Sequence, residues 1–582
     1  MTALNNLTFD NSVLRSLPID PEEKVFPRQV KGACFSKVTP TPVENPQLVS
    51  AALPALQLLD LGEDDIEHKD FTEYFSGNKL LKGSETAAHC YCGHQFGHFA
   101  GQLGDGAAIY LGEIINKRGE RWELQVKGAG LTPYSRQADG RKVLRSSIRE
   151  FLCSEAMHHL GIPTTRAATC VTSDSYVVRD VFYSGNPVNE RCTIVSRIAP
   201  SFLRFGSFQI CKPPDRETGR EGPSVCLPDV LSKLTNFTIE KYFPEIWEMH
   251  SNDKETAISE FFKEVVLRTA RLVAEWQCIG FCHGVLNTDN MSILGLSIDY
   301  GPFGFMDRFD EDFICNGSDD RGRYTYKKQP EICKWNCQKL CDALMELIPL
   351  EKLLPSVELF DVEYQRCYME KMRKKVGDRD LVASFLDTMQ KTGADFTNCF
   401  RLLSGVRDDN TETILEELMK QSCSIEELRA ANQPRMDVRQ LQMLLTLAET
   451  NPGLLGQMGM AARGLMQELS RLEKLKELKE KTEDWKRKQD QTMWSQWILK
   501  YQDRLKRESD PSLSQEDIRL KRTQVMNSNN PKFVLRNYMA QNAIEAAEKG
   551  DFSEVNRVLS LLQNPFIDLD NGMLSSENDC HF

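Results

Sequence analysis

Two carboxylates and an amide lie close together in one stretch of this chain. Asp289 and Asn290 close HGVLNTDN (His283–Asn290), and Asp299 sits in the following MSILGLSIDYGPFGF (Met291–Phe305). Asn290 and Asp299 are hard oxygen donors separated by a predicted hairpin, MSILGLSI. A side-chain carbonyl plus a carboxylate, completed by phosphate oxygens, suits Mg2+. Asp289 adds a carboxylate to the same loop, where a general base would have to reach an attacking hydroxyl. Upstream, GQLGDGAAIYLGE carries Gly101, Gly104 and Gly106. Glycine lets backbone N–H groups approach phosphate oxygens with no Cβ in the way. Lys127 follows on a predicted strand, and Glu150, on a predicted helix, is its candidate partner. Each piece has a plainer alternative: a turn for the glycines, a surface Lys and a surface Glu, an Asx turn and a loop aspartate. Together and in this order they predict binding of ATP and Mg2+.

The order glycine loop, strand Lys, helix Glu, loop Asn, Asp-x-Gly is that of a protein kinase, which writes H-R-D-L-x-x-x-N and then D-F-G. His283 and Asn290 keep their places and Asp299-Tyr300-Gly301 stands for D-F-G, but Val285 fills the slot of the catalytic Asp. On these residues alone, three readings stay open. One is a catalytically silent, ATP-binding pseudokinase scaffold, which the missing acid favours. Another is an ordinary protein kinase that recruits Asp289. The third is different chemistry, with substrate or nucleotide placed differently from a kinase's.

Such residues need elements to position them. AAIYLGEI and RWELQVKG read as strands. In the second, Trp122, Leu124 and Val126 alternate with Glu123, Gln125 and Lys127, which turns Lys127 away from the apolar face, toward a cleft or solvent. RSSIREFLCSEAMHHLG reads as a helix with Ile148, Phe151, Leu152 and Met157 as its apolar stripe, Glu150 beside it, and Gly161 with Pro163 as the stop. ISEFFKEVVLRTARLVAEWQCIG reads as a second helix that buries Phe261, Phe262, Val265, Leu272 and Trp276 and leads into His283. Residues 1 to about 60 are broken by prolines and read as an extended arm lying on the fold. Short β-like runs dominate from about 90 to 210, and from about 330 the pattern is nearly all helical. The charge-rich stretch from about 456 to 508 reads as a solvated helical face. The expected fold class is α+β, a two-lobed protein-kinase-like fold with an N-terminal extension and a helical C-terminal region. The expected divisions are 1–85, the arm and the start of the N-lobe; 86–210, a β-rich nucleotide-binding N-lobe; 211–345, a C-lobe with catalytic loop and metal site; and 346–582, the helical C-terminal region and tail.

The chain has 582 residues, 41% of them hydrophobic, enough for a large core. A net charge of -12 disfavours a general nucleic-acid binder. No run is long and apolar enough to predict a transmembrane helix. The opening MTALNNLTFDNSVLRSLPID has no basic region followed by an apolar one, and Asp10 and Asp20 with few Arg make a poor mitochondrial presequence. The 18 cysteines are scattered and include no C-x-x-C, so most are expected reduced and partly buried. Cys333, Cys337 and Cys341 share one helix face and read as a packing stripe rather than a metal site, since no second ligand cluster follows. His89, His94 and His98 in HCYCGHQFGH read as structural histidines of a tight glycine-rich loop rather than zinc ligands.

Longer blocks are more specific. YCGHQFGHFAGQLGDGAAIYLGE, ELQVKGAGLTPYSRQADGRKVLRSSIREFLCSEAMHHLGIPTTR, APSFLRFG, HGVLNTDNMSILGLSIDYGPFGFMD and NPKFVLRNYMAQNAIEAAEKGDFSEV, spread from about residue 90 to the end, resemble the selenoprotein O family. The resemblance implies a pseudokinase fold that binds ATP in a flipped orientation and transfers AMP to protein hydroxyls. Position by position, it implies Gly104 and Gly106 as glycine-loop contacts to ATP, Lys127 as the phosphate-binding lysine and Glu150 as its partner. It implies Asp139 and Gly140 in QADGR as a second nucleotide-contacting turn, and Arg197 and Arg204 in VSRIAPSFLRFG as arginines that grip the phosphates, a task guanidinium forks suit. Asp289 matches the proton acceptor; Asn290 and Asp299 match the Mg2+ ligands, with Asp299 also at the nucleotide. Ala107 is a departure: many bacterial relatives place an arginine at this nucleotide-contact position. With ATP flipped, the α-phosphate would face the acceptor, which accounts for Val285 at the kinase base position.

Cys580, third from the end, stands where animal members often place selenocysteine. Some relatives without selenium pair this cysteine with one after the D-Y-G segment, here matched by Cys315, so the resemblance implies a redox switch rather than a structural staple. The partners it implies are proteins bearing Ser, Thr or Tyr hydroxyls, taken by a monomer without nucleic acid. UMP transfer from UTP with Mn2+ stays open beside AMP transfer from ATP. The resemblance points to mitochondria; the absence of a clear presequence makes the cytoplasm the alternative.

Overall fold

Short β-prone runs build one nine-stranded sheet in the computed structural model, which describes residues 3–180, 185–407, 409–434, 437–450, 460–507 and 512–568. Its strands are β1 (Thr8–Phe9), β2 (Ile19–Asp20), β3 (Phe35–Lys37), β4 (Gln47–Ala51), β5 (Ala87–His89), β8 (Ala108–Ile115), β9 (Arg121–Lys127), β10 (Arg166–Arg179) and β11 (Val188–Ala199). Between β5 and β8 lies a separate hairpin, β6 (Cys92–Gln95) with β7 (His98–Gln102). The spatial order in the sheet is β2-β3-β5-β8-β9-β11-β10-β4, with β1 on β8. β2 and β3 pair in parallel. A further two-stranded pair, β12 (Phe281–Cys282) with β13 (Gly304–Phe305), brackets the loop that carries Asp289, Asn290 and Asp299.

The N-terminal stretch expected as an arm is instead woven into this sheet. β4 and β2 are its two edges, and β1 pairs with β8 near the centre. Prolines do keep the stretch extended, yet its short apolar segments supply ladder partners to β5 and β10, whose backbone groups would otherwise stay unpaired.

The helix predicted after the sheet's central hairpin is α1 (Leu144–His159). Its stripe of Ile148, Phe151, Leu152 and Met157 is wholly buried, and burying side chains of this size stabilises by roughly 1.5–3 kcal/mol each. Leu160 caps it and Gly161, at φ +80°, turns the chain away, as predicted. α1 packs on β10 and β11, and its Glu150 reaches Lys127 at the end of β9. Lys127 faces the cleft, as the alternation predicts. Glu123 and Gln125, on the same side of β9, are buried: Glu123 accepts from the Phe202 N–H at 3.1 Å and the Tyr242 hydroxyl at 3.2 Å, and Gln125 accepts from Arg197 at 2.7 Å.

The predicted second helix is α2 (Lys254–Cys278), with Phe261, Phe262, Val265, Leu272 and Trp276 buried. Trp276 Nε1 donates to Ser297 Oγ at 2.8 Å, bracing the segment before Asp299. Beyond it lie α3 (Gln329–Leu344), α4 (Leu350–Lys375), α5 (Arg379–Thr392), α6 (Glu483–Leu505), α7 (Asn537–Glu548) and α8 (Ser553–Leu562). Strands followed by helices make an α+β fold, as expected. α4 lies along α2, and the α7–α8 pair packs on α1. Cys333, Cys337 and Cys341 pack as a buried stripe on α3. His89 stacks on Phe35 with centroids 4.6 Å apart, and Gln209 Nε2 donates to His94 Nδ1 at 3.1 Å. Among the described residues no group of His, Cys, Asp or Glu could hold a metal by itself.

The charge-rich stretch is the second correction. α6 is not a solvated face: Trp494, Trp497, Ile498 and Tyr501, at helical spacing, are buried in a cluster with Phe385, Phe396 and Phe400. Even Lys486 and Asp490 are buried, as an ion pair at 2.5 Å. An aromatic stripe on one side outweighed the charges on the other.

Candidate active site

Strand register begins the site. On β9, Gln125 and Lys127 share a face, since side chains alternate. Arg197 of β11 stands opposite Gln125, and its Nη2 donates to Gln125 Oε1 at 2.7 Å. α1 presents Glu150 to the same face, where Lys127 Nζ lies 2.8 Å from Glu150 Oε2. Lys127 and Glu150, the candidate partners, are therefore joined and largely buried, with side chains 15% and 8% exposed, against the plainer reading as two surface residues.

Asp299 is the point on which these groups converge. Lys127 Nζ is 3.0 Å from Asp299 Oδ1, Arg204 Nη1 is 2.8 Å from Oδ2, and Arg197 contacts Oδ1 more closely. Arg197 also lies 3.4 Å from Glu150. Burial alone would raise the Asp299 carboxyl, but Lys127, Arg197 and Arg204 hold it well below the usual carboxylate range. Asp299 adopts φ +61°, a left-handed conformation that costs a non-glycine residue about 1–2 kcal/mol. The cations and the neighbouring backbone hold it there. His283 Nε2 bonds the carbonyl of Ile298 at 2.9 Å, tying the loop of Asp289 and Asn290 to the residue before Asp299.

Arg204 reaches from the start of a short helix, Phe205–Phe208, and is 1% exposed. Its guanidinium lies 4.3 Å above the Tyr91 ring and donates to the Asp289 carbonyl at 2.8 Å. Burial would lower its pKa, but Tyr91, Asp299 and Asp105 raise it. Asp289 is 7% exposed. Burial pushes its carboxyl up to about 6, against the pull of Arg204. Asp289 Oδ2 accepts from Gln95 Nε2 at 3.4 Å, while Oδ1 is buried with no hydrogen-bond partner among the described residues. Asn290 Nδ2 donates to the carbonyl of Val285 at 3.0 Å.

A cleft of about 730 Å³ opens over these groups. Gly104, Gly106, Ala107, Lys127, Asp139, Gly140, Arg197, Asp289, Asn290 and Asp299 all line it. Glu150 and Arg204 stand behind its wall and act on it through Lys127 and Asp299. The glycine loop folds over Tyr134: a Cβ on Gly104, at φ +87°, would lie 2.3 Å from the Tyr134 ring. Gly140, at φ +70°, closes the second turn so tightly that a Cβ would lie 2.0 Å from the Gly130 carbonyl oxygen. Asp139 shapes that turn, accepting from the Arg141 N–H at 2.9 Å and from Arg179 at 2.7 and 2.8 Å. The carbonyl of Ala107 accepts from the Gly128 N–H at 2.6 Å.

Several participants were missed in the sequence. Asp105, inside the glycine loop, is 3% exposed and lies 3.9 Å from Arg204. Tyr91, Gln95 and Gln125 support Arg204, Asp289 and Arg197. Gly93 makes room for Asp289: a Cβ there would lie 2.4 Å from Oδ1. Only the GDG spelling around Asp105 carried any local signal.

Cys315 lies apart from the cleft, half-buried, its thiol donating to the Cys282 carbonyl at 3.4 Å. Contact with the Cys282 thiol and burial raise its pKa. Cys580 lies outside the described residues.

Comparison with known proteins bears on this cleft. A family model described as "Protein adenylyltransferase SelO" matches residues 27–563. The chain is 55% identical to "Protein adenylyltransferase SelO, mitochondrial" of Mus musculus, over 97% of this chain and 87% of that protein. It is 54% identical over the same shares to the Homo sapiens protein of that name. It is also 40% identical to "Protein nucleotidyltransferase YdiU" of Methylobacillus flagellatus, over 96% of this chain and 94% of that protein.

Proposed function

This chain belongs to the SelO family of protein adenylyltransferases, and we propose that its cleft holds ATP so that AMP passes to a Ser, Thr or Tyr hydroxyl of another protein. The observation that carries the reading is the convergence of Lys127, Arg197 and Arg204 on Asp299 beside the unpartnered Oδ1 of Asp289. Lys127 and Arg197 face a phosphate chain with Arg204 behind them, and a carboxylate stands ready for a proton, while Val285 leaves the kinase base position empty of acid.

The acceptor oxygen forms a bond to the α-phosphorus, the bond from that phosphorus to the bridging oxygen of the β-phosphate breaks, and pyrophosphate leaves with the electron pair. Asp289 takes the hydroxyl proton. A carboxyl pushed up to about 6 is a better base than an ordinary aspartate near neutral pH. Lys127 and Arg197 hold the phosphates, Arg204 braces Asp299 from behind the wall, Glu150 orients Lys127, and Gly104, Gly106, Ala107, Asp139 and Gly140 shape the walls around the nucleotide.

The residues fit a divalent cation. Asn290 and Asp299 bring hard oxygen donors to one cleft, and the buried Asp289 Oδ1 beside them has no partner among the described residues. A pair of protein donors leaves most of the shell to phosphate oxygens and water, the pattern Mg2+ favours. Asn290 and Asp299 would hold it, and it would neutralise phosphate charge as pyrophosphate leaves.

We read the sheet and α1 as the nucleotide-binding lobe of a kinase-like fold, within the divisions 1–85, 86–210, 211–345 and 346–582. The mouse and human relatives are mitochondrial by name, which supports a mitochondrial compartment here over the cytoplasm. We also read the enzyme as a monomer. Redox control through Cys315 and Cys580 rests on the family resemblance. It requires a peptide joining the two cysteines in oxidised, non-reduced protein, and mass spectrometry that finds Cys580 only as a free thiol removes it.

Incubation with ATP labelled at the α- or the γ-phosphate tests the function. Protein labelled from the α position alone, and lost in Asp289→Asn, supports AMP transfer. Labelling from γ alone makes the protein a kinase, and labelling from neither makes it a scaffold. α-Labelled UTP with Mn2+ in a parallel reaction tests the alternative donor.

A further inference from the structure

Of the cations that line the cleft, most are already matched. Lys127 and Arg197 share Glu150 and Asp299, Arg145 pairs with Glu190, and Arg179 pairs with Asp139. Arg141 donates to the carbonyls of Gly128 and Pro42. Lys142 has no ion-pair partner among the described residues, yet it is half-buried. Arg136, likewise unpaired there, sits at the exposed rim.

Lys142 is also held in place. Its carbonyl accepts from the Thr193 N–H at 2.9 Å, and Val143 bridges Cys192, so the segment between the Asp139–Gly140 turn and α1 is tied to β11. Its Cβ lies against the backbone just after Lys127: a Cβ added at Gly128 would sit 3.0 Å from it. The side chain lines the cleft together with Ala107, Lys127 and Arg197. Burial disfavours its charged form and Lys127 adds to that, while Glu150 and Asp299 favour it. An ammonium held half-buried beside another cation is stabilised when an anion arrives.

Charge balance shows what anion the cleft lacks. Lys127, Arg197 and Arg204 already face Glu150 and Asp299, so little positive charge is left over for a triphosphate. Lys142 supplies one more positive charge on the open side. We propose that Lys142 is a further phosphate-binding cation of this site, contacting the phosphate chain of a nucleoside triphosphate beside Lys127. This rests on the nucleotide reading above and adds a residue to it.

The test is ATP binding by calorimetry on the full-length protein, comparing wild type, Lys142→Met and Lys142→Arg, with adenosine as the phosphate-free probe. Met keeps the stem that packs at Gly128 and removes only the charge. The expected result is ATP affinity roughly tenfold weaker in Lys142→Met, adenosine affinity and melting temperature unchanged, and most of the ATP affinity restored in Lys142→Arg. Equal ATP affinity in wild type and Lys142→Met overturns the proposal. So does a parallel loss of ATP and adenosine binding with a lower melting temperature, which would make Lys142 a structural residue. A wild-type protein that binds no ATP overturns the nucleotide reading itself.

Discussion

Asp299→Asn removes one charge and keeps the shape of the side chain. In the wild type this carboxylate faces Lys127 at 3.0 Å and Arg204 at 2.8 Å, with Arg197 closer still. Arg197 and Arg204 are 2% and 1% exposed, so water cannot replace the lost partner. Breaking a buried ion pair from one side costs roughly 3–5 kcal/mol, because the opposing charges stay buried without compensation. Glu150 still holds Lys127 and Arg197, and the Asp299 side chain is 19% exposed, which places the effect at the lower end, about 3 kcal/mol. The nucleotide-free variant should therefore melt about 2–3 °C below wild type. ATP brings back the missing negative charge. At a hundred times its Kd it contributes about 2.7 kcal/mol, nearly the whole loss. With divalent cations chelated, the variant should bind ATP more tightly than wild type, since its three cations are no longer shared with a carboxylate. With Mg2+ present, AMP transfer should fall to background. Thermal melting with and without ATP, each in chelator, and transfer from α-labelled ATP give the three readouts. An unchanged nucleotide-free melting temperature together with unchanged ATP affinity would refute the electrostatic reading of this cluster. Retained transfer would remove Asp299 from the reaction.

Gly93→Ala places a Cβ where Asp289 Oδ1 now lies, 2.4 Å away, with Leu103 at 2.9 Å preventing an easy retreat. Transfer should drop at least about tenfold through loss of base position while ATP binding stays within about twofold; wild-type transfer would mean that Asp289 need not sit where it does. Lys375, at the end of α4, is 1% exposed and donates to the Asn529 carbonyl at 3.2 Å, and burial lowers its pKa from 10.5 to about 7. Its folded-state pKa lies below the unfolded one, so the stability penalty is full below pH 7 and fades as pH rises toward 10.5; that depression corresponds to roughly 5 kcal/mol. Lys375→Met should thus raise the melting temperature most at pH 6, with the gain shrinking by pH 9.5. A gain independent of pH, or a loss at both, counts against a buried ammonium as the cause.

Much of this protein was legible before any coordinates. The alternation in β9, the apolar stripes of α1 and α2 and the Gly161–Pro163 stop all follow from side-chain spacing within a dozen residues, and each element formed where its pattern lies. The order of glycine loop, Lys127, Glu150, Asn290 and Asp299 was equally plain, because a motif is a property of the string. What the string left open was which surfaces meet. Glu123 and Gln125 fall on the polar side of β9 and are nonetheless buried, because Phe202, Tyr242 and Arg197, from further along the chain, close on them. The proline-broken N-terminus read as an arm and became sheet edges, since its partners β5 and β10 lie far along the sequence. α6 read as charged and solvated, and its aromatic stripe found Phe385 and Phe400. The same holds in the cleft. Lys127 and Glu150 were legible as partners but not as a buried pair, while Gly93, Gln95 and Lys142 carried no signal at all. Periodicity encodes which face of an element is apolar, but a charge state, an ion pair or a steric gap depends on what is brought within a few ångströms by contacts between distant segments, and only the folded chain decides that.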